Sequence, residues 1–223
     1  MLPLLTMLAL GASKPTPVLV ELFTSEGCSS CPTADKALAW LEATQPVEGV
    51  EVIALSLHVD YWNQLGWADP YSSPRFTARQ EAYGKEMYTP QMVVDGDAAF
   101  VGSQQRALEV LADRKGATRI DVTVCAVVKD GVVEVTAKSA SSAVPLWVAI
   151  AESGLAHLVP RGENSGRTLS HTAVVRELQR VKADGTVRIP LDKAWKRDAL
   201  KVVAFLQQAG PGKVLGVATA PLR

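Results

Sequence analysis

The sequence carries no surplus of charge: 23 Lys and Arg balance 23 Asp and Glu over 223 residues. A phosphate-binding surface needs a basic excess, so nucleic acid is excluded as the main partner. A highly charged disordered chain is excluded on the same ground. No apolar run reaches the roughly 18–20 residues that cross a bilayer as a helix, so no membrane span is expected. Cysteine and histidine are scarce, three of each. A closed structural zinc site takes four ligands from paired clusters. A second cysteine pair is missing, so no metal is assigned. Internal repeats and low-complexity tracts are absent as well.

What is present is enough apolar material, 48% of the residues, to build a core. Met1 to Ala12 is almost wholly apolar, and the small residues Gly11, Ala12 and Ser13 close it. This reads as the h-region and cleavage site of a secretory signal, although the basic n-region is missing. The alternative is a frayed tail or a first strand. Residues 1–16 are set apart on this basis, and the expected location is the periplasm or the exterior.

Pro15 to Ser25 reads as a strand in which Val18, Val20 and Leu22 alternate with Leu19, Glu21 and Phe23. Both faces are mostly apolar, as in a sheet covered by helices. Gly27 breaks it and Cys28-Ser29-Ser30-Cys31-Pro32 follows. Leu38, Trp40 and Leu41 then predict a helix from about Thr33 to Gln45. Val50 to Val59 is a second apolar strand, which completes a βαβ unit with parallel strands. Ser73 and Pro74 open another helix as cap and first residue, with Phe76, Tyr83 and Met87 as its apolar stripe. Gln91 to Val94 and Ala98 to Val101 form a hairpin about Asp95-Gly96. Ser103 caps a third helix with Leu108 and Leu111 inward, ending at Gly116.

Beyond Gly116 the pattern is all strand: Ile120 to Val128, Val132 to Lys138, Leu146 to Glu152, Thr172 to Val181, Val187 to Leu191, Leu200 to Gln207 and Val214 to Thr219. Asp130-Gly131, Asp184-Gly185 and Gly210-Pro211-Gly212 supply turns between them. Short strands with regular turns predict a β-sandwich. The expected fold class is therefore an α/β domain over residues 17–116, followed by an all-β sandwich-like domain over 117–223.

The chemistry centres on Cys28 and Cys31. A CxxC directly after a strand and opening a helix is the context for redox exchange. Free N–H groups and the helix dipole favour a thiolate there. The thiolate is the nucleophile of thiol–disulfide exchange, and a second cysteine one turn on can resolve the mixed disulfide. An inert structural disulfide is the alternative. Thr89-Pro90, just before the hairpin, predicts a cis peptide bond beside the CxxC, where an extended substrate could pair with the backbone. An ordinary trans proline ending the preceding helix is the plain alternative.

His58 and Asp60 end the second strand, at the sheet edge where ligands bind in open α/β folds. His58 is a candidate to stabilise the Cys28 thiolate or carry its proton, with Asp60 orienting it. Tyr61, Trp62, Trp67 and Tyr71 are candidates to wall a substrate groove, Trp62 first among them. Glu21, inside an apolar strand, is a candidate base for Cys31. Alternatively it is a paired, structural carboxylate. Cys125 is expected as a small buried residue, with pairing between molecules as the alternative. The polar stretch Arg161 to Arg176 is expected to be a loop packing on the first domain near the redox edge. An anion site or a solvated salt-bridge network would have the same composition.

Residues from about Pro17 to Lys115 resemble a thioredoxin-like domain. The first strand, the CxxC helix, the second strand, the Thr89-Pro90 loop, the hairpin and the last helix carry that resemblance. More closely, Glu21 to Pro32 is similar to an uncharacterised family of bacterial secreted proteins with a thioredoxin-like fold. So are His58 to Asn63, Leu65-Gly66-Trp67, Tyr88 to Gln91, Arg161 to Asn164 and His171 to Arg176. The resemblance covers nearly the whole chain and implies the fold. The Ser29-Ser30 dipeptide departs from the Gly-Pro of thioredoxins and the Pro-His of strong periplasmic oxidants, so redox direction does not carry over.

The expected function is thiol–disulfide exchange outside the cytoplasm on protein or small-molecule thiols, without a cofactor. Cys28 attacks, Cys31 resolves, and Thr89, Pro90 and Trp62 form the substrate groove. Two alternatives stand beside it. One is a soft-metal (copper) binding protein using the two cysteines and His58. The other is a non-catalytic binding module with a permanent disulfide. Nothing in the sequence fixes the oligomeric state.

Overall fold

The computed structural model of the chain describes residues 14–84, 86–181 and 185–222. Residues 1–13 of the expected signal segment and the turn residue Asp184 lie outside them, whereas Thr16 already belongs to the first strand.

The first strand, β1 (Thr16–Thr24), is buried along nearly its whole length, as its two apolar faces require. Helix α1 (Cys31–Thr44) starts at the second cysteine, with Pro32 in its first turn. Strand β2 (Val50–His58) pairs in parallel with β1, in register from Thr16–Val50 to Thr24–His58. Helix α2 (Pro74–Ala82) has Ser73 as its cap, whose hydroxyl accepts the Arg75 amide. It ends before Met87, which is an exposed residue outside the helix rather than part of its stripe. Strands β3 (Gln91–Val94) and β4 (Ala98–Val101) form the expected hairpin. Its tip requires glycine twice over: Gly96 has φ +74°, and a Cβ there would lie 2.3 Å from the Gly212 carbonyl oxygen. Helix α3 (Gln104–Ala112) follows its Ser103 cap.

The second half holds β5 (Val122–Lys129), β6 (Val132–Ser139), β7 (Leu146–Glu152), β8 (Leu155–Leu158), β9 (Thr168–His171), β10 (Val174–Arg180), β11 (Thr186–Pro190), β12 (Leu200–Gln207) and β13 (Val214–Pro221). These strands do not make a free-standing sandwich. The protein is a mixed α/β fold dominated by one eight-stranded mixed sheet in the order β13-β12-β7-β10-β2-β1-β3-β4. The junction is β10 against β2, parallel, at Val174–Ser56. The Ser56 amide donates to the Ala173 carbonyl at 2.8 Å.

The sheet therefore crosses residue 117, and so does the main core. Leu22, Leu55 and Phe76 share one cluster with Ala149, Val203 and Phe205. The sandwich character survives locally. A three-stranded sheet, β11-β6-β5, packs its Val133, Val135 and Ile189 onto Val148, Ile150, Val202 and Ala204 of β7 and β12. Cys125 points away from this core and is exposed, because the inward row of β5 is Val122, Val124, Ala126 and Val128. The connection at 116–119 is pinned by Arg119, which reaches the buried Asp95 carboxylate at 2.5 Å.

A shared core unfolds as a unit. Urea unfolding followed by tryptophan fluorescence and by far-UV circular dichroism should give one coincident transition. Phe205→Ala should lower its stability by about 3–5 kcal/mol. Two separated transitions, with only the later one moved by the substitution, would contradict the shared core.

Candidate functional site

Cys28 and Cys31 are joined as a disulfide at a Cα separation of 5.4 Å. The pair sits where β1 hands over to α1. The Cys31 amide donates to the Cys28 carbonyl at 3.2 Å, so the helix begins immediately behind the first sulfur. Cys28 is 1% exposed and Cys31 fully buried.

The Thr89–Pro90 peptide is cis. The Trp62 indole N–H donates to the Thr89 hydroxyl at 2.8 Å, so these two predicted groove residues are together. Pro90 also lies close to α1. A Cβ on Gly102 would meet Ala34, one turn into the helix, at 2.7 Å and Pro90 at 3.3 Å. Only a glycine lets the proline segment pack there. Cys28, Cys31, Trp62, Thr89 and Pro90 thus gather around the start of α1.

The predicted proton-transfer residues do not hold together as expected. Asp60 does not orient His58. Its carboxylate accepts the Thr77 hydroxyl, because the chain turns outward after Val59. Glu21 is not placed as a base for Cys31. It is the paired carboxylate of the alternative reading, held by Arg79 Nε at 2.6 Å and Nη2 at 3.0 Å and by the Tyr83 hydroxyl. His58 is fully buried and its partner is Asp69, with Nδ1 2.7 Å from Oδ2. Burial pushes His58 down, but the Asp69 charge and hydrogen bond outweigh it and hold the imidazole above its ordinary value. Burial likewise pushes Asp69 up. Its His58 partner and the Glu26 and Tyr71 amides reverse this and hold it low.

All three histidines of the chain converge behind the disulfide. The Glu26 carboxylate, fully buried two residues before Cys28, lies 3.0 Å from both His157 Nδ1 and His171 Nε2. It also accepts the Trp67 indole N–H at 2.9 Å. Desolvation raises it, yet the bonds from His171, Trp67 and His157 bring it below the ordinary carboxylate range. The His58 and His171 rings meet edge-on at 4.8 Å, and Tyr71 packs against both. Trp67 stacks on His157 at 5.5 Å. Trp67 and Tyr71 therefore brace this cluster.

Glu26, Asp69, His157 and His171 have no signal of their own in the sequence, and two further groups, Asp35 and Asn164, are not singled out by it either. Asp35 sits one helical turn after Cys31 on the same buried face of α1. Burial raises its carboxyl, and the nearby His171 and His58 only partly offset this. Thr24 lies in electrostatic range but short of hydrogen-bonding geometry, and Oδ1 has no partner among the described residues. The sequence signal was an acid on the Leu38–Leu41 stripe. Asn164, fully buried, donates to the carbonyls of Glu26 and Cys28 at 2.8 and 2.9 Å. Beside it Glu163 accepts the Ser29 amide at 2.9 Å. The Arg161–Arg176 stretch thus packs against the cysteine loop, as most of the loop joining β8 to β9, β9 itself and the start of β10.

Among the described residues, no group of three or more His, Cys, Asp or Glu side chains is arranged to hold a metal ion.

The family model described as "Protein of unknown function (DUF1223)" matches residues 19–207. No curated protein matches the chain significantly. Among solved structures, the chain is similar to the crystal structure of a protein from Agrobacterium tumefaciens. That match has a TM-score of 0.69 at 29% identity, covering 93% of this chain and 95% of the other. It is also similar in fold to HBP35 of Porphyromonas gingivalis. There the TM-score is 0.66 at 16% identity, covering 94% of this chain and 76% of that one.

The buried His58–Asp69 pair makes a pH-dependent contribution to stability. Asp69, held below its ordinary 3.8, stabilises above that value and loses the effect as pH falls. His58, held above its ordinary 6.5, stabilises below that value and loses the effect as pH rises through its folded value. Asp69→Asn should therefore cost most, about 3–5 kcal/mol, between these limits, and less at both extremes. Urea unfolding of both proteins at pH 3, 5.5 and 9 measures it. A difference that does not change with pH would refute the charged pair.

Proposed function

We propose that this chain, which belongs to the DUF1223 family, is a thiol–disulfide oxidoreductase whose segment 17–116 is a thioredoxin-like unit. One observation carries the reading. The CxxC opens α1 directly after a central strand, and a cis-proline segment packs on the same end of that helix. The parallel β1–α1–β2 unit, with an antiparallel β3–β4 hairpin and α3 after it, supports the same reading. A disulfide that persists suits an oxidising compartment. Together with the apolar first residues, this favours action in the periplasm or outside the cell.

In the oxidising direction a substrate thiolate attacks Cys28 Sγ. The Cys28–Cys31 bond breaks and its electron pair leaves on the Cys31 sulfur. Asp35, one turn along the helix, supplies the proton that Cys31 needs, and in the reverse direction it is the base, the role first assigned to Glu21. A second substrate thiolate then attacks the substrate sulfur of the mixed disulfide and releases Cys28 as a thiolate. The substrate loses two electrons and the cysteine pair gains two. The reverse sequence reduces a disulfide substrate, with Cys28 attacking and Cys31 resolving. Thr89, Pro90 and Trp62 form the face on which protein or small-molecule thiols lie.

A permanent structural disulfide is the second reading, and the near-complete burial of both cysteines favours it. The copper reading has no such support. Among the described residues, no group of three or more His, Cys, Asp or Glu side chains is placed to hold a metal ion.

Equilibration with glutathione buffers separates the two readings. An exchangeable pair should show a reduction potential between about −120 and −270 mV, and a structural one should lie below about −300 mV. In the exchange reading, Cys28→Ser abolishes oxidation of a dithiol peptide. Cys31→Ser accumulates a Cys28–peptide mixed disulfide visible by mass spectrometry. Full activity in Cys28→Ser would refute the mechanism.

A further inference from the structure

Away from the cysteines, α2 and the second half of the chain enclose an apolar cavity of about 380 Å³. Phe76, Pro145, Trp147 and Leu178 supply its walls, and Arg79 and Gln207 supply polar groups. Neither cysteine lines it.

Arg79 is the unusual member. Only 8% of it is exposed, and its guanidinium stands 5.3 to 5.9 Å from the ring centres of Phe205, Tyr83 and Trp147. Nε and Nη2 are spent on Glu21, and Nη2 also reaches the Tyr83 hydroxyl at 3.1 Å and Gln207 Oε1 at 2.9 Å. Nη1 has no hydrogen-bond partner among the described residues, and it is not among the side-chain atoms sealed from solvent without one. A guanidinium can only donate, and an unpaired donor on a residue that lines an apolar cavity calls for an acceptor oxygen.

The kind of oxygen follows from the charges. Glu21 already neutralises Arg79 across a buried two-point contact. At the mouth Arg75 is paired with Glu177 at 3.0 Å. A carboxylate entering this site would bring an uncompensated charge into a desolvated place, which is costly. A neutral carbonyl accepts the same hydrogen bond without that cost. The volume gives room for roughly a dozen non-hydrogen atoms, at the ~30 Å³ share of a liquid water molecule. Aromatic and aliphatic walls with one placed polar group are the usual form of a small-molecule site.

We propose that this cavity binds a small uncharged aromatic molecule bearing a carbonyl or amide oxygen, with the ring between Phe76 and Trp147 and the oxygen on Arg79 Nη1. The site stands independently of the thiol chemistry.

The test uses the full chain and three probes of similar size: acetanilide, phenylacetate and propylbenzene. Titration is followed by tryptophan fluorescence, with the indole N–H signal of Trp147 observed by NMR. Acetanilide should bind at least tenfold more tightly than either of the others and shift the Trp147 signal. Ala78→Trp places bulk at the exposed rim of the cavity and should weaken acetanilide at least tenfold. Unchanged far-UV circular dichroism and melting of the free protein would show that the variant folds. The proposal is overturned by no acetanilide binding below about 10 mM, where the association free energy falls under ~3 kcal/mol. It is equally overturned if phenylacetate or propylbenzene binds as well as acetanilide, or if a correctly folded Ala78→Trp leaves binding unchanged.

Discussion

The carboxylate of Glu26 is the point on which the disulfide edge depends. It is fully buried, so its charge must be met inside the protein. The partners come from two distant parts of the chain: Trp67 from the segment after β2, and His157 and His171 from the β8–β9 hairpin. The rest of the residue is equally committed. Its amide donates to Asp69 at 2.7 Å and its carbonyl accepts from Asn164. One residue, two positions before Cys28, therefore joins the CxxC loop, the His58–Asp69 pair and the second half of the chain. Removing these partners would leave a buried carboxylate without its hydrogen bonds, a far larger loss than any surface salt bridge would bring.

This explains why the boundary at residue 117 is only a change of pattern. The alternation of strand and helix does stop there, as periodicity showed. Yet a sheet extends by backbone pairing, and hydrophobic alternation does not name the neighbour. β10 has the same apolar pattern whether it lies in a sandwich or beside β2. The deciding contact is a short parallel pairing at Val174–Ser56, set up by Ala173 at φ +51°. Nothing local in the sequence announces it.

Several local signals are legible in the sequence. The Ser73-Pro74 cap, the Asp95-Gly96 turn and the cis Thr89–Pro90 bond each have a short-range cause, and each is present. The errors fall where partners are distant. Glu21 looked like a free buried acid because Arg79, 58 residues away, is invisible from its strand. Asp60 looked like the partner of His58 because it is near in sequence, while the actual partner is Asp69, eleven residues on. The polar stretch from Arg161 was placed at the right edge, but its small hairpin was missed. With only four residues in each strand, β8 and β9 give too little alternation to detect.

The same burial that makes the site well defined also constrains what it can do. Thiol–disulfide exchange needs in-line approach of one sulfur to another, and the closed structure covers both Cys28 and Cys31. Exchange therefore requires a local opening, whose free energy adds to the barrier of each turnover. The contacts that must yield differ in strength. Glu163 holds the Ser29 amide from an exposed position, and the Trp62–Thr89 bond is only partly buried. Glu26, by contrast, is locked on three sides. Opening at the Ser29–Glu163 and Trp62–Thr89 contacts would free the cysteine edge while the histidine cluster behind it stays assembled. A buried disulfide and an exchanging one are then the same structure with different opening energies. The more exposed contacts lie in front of the sulfurs and the buried ones behind them.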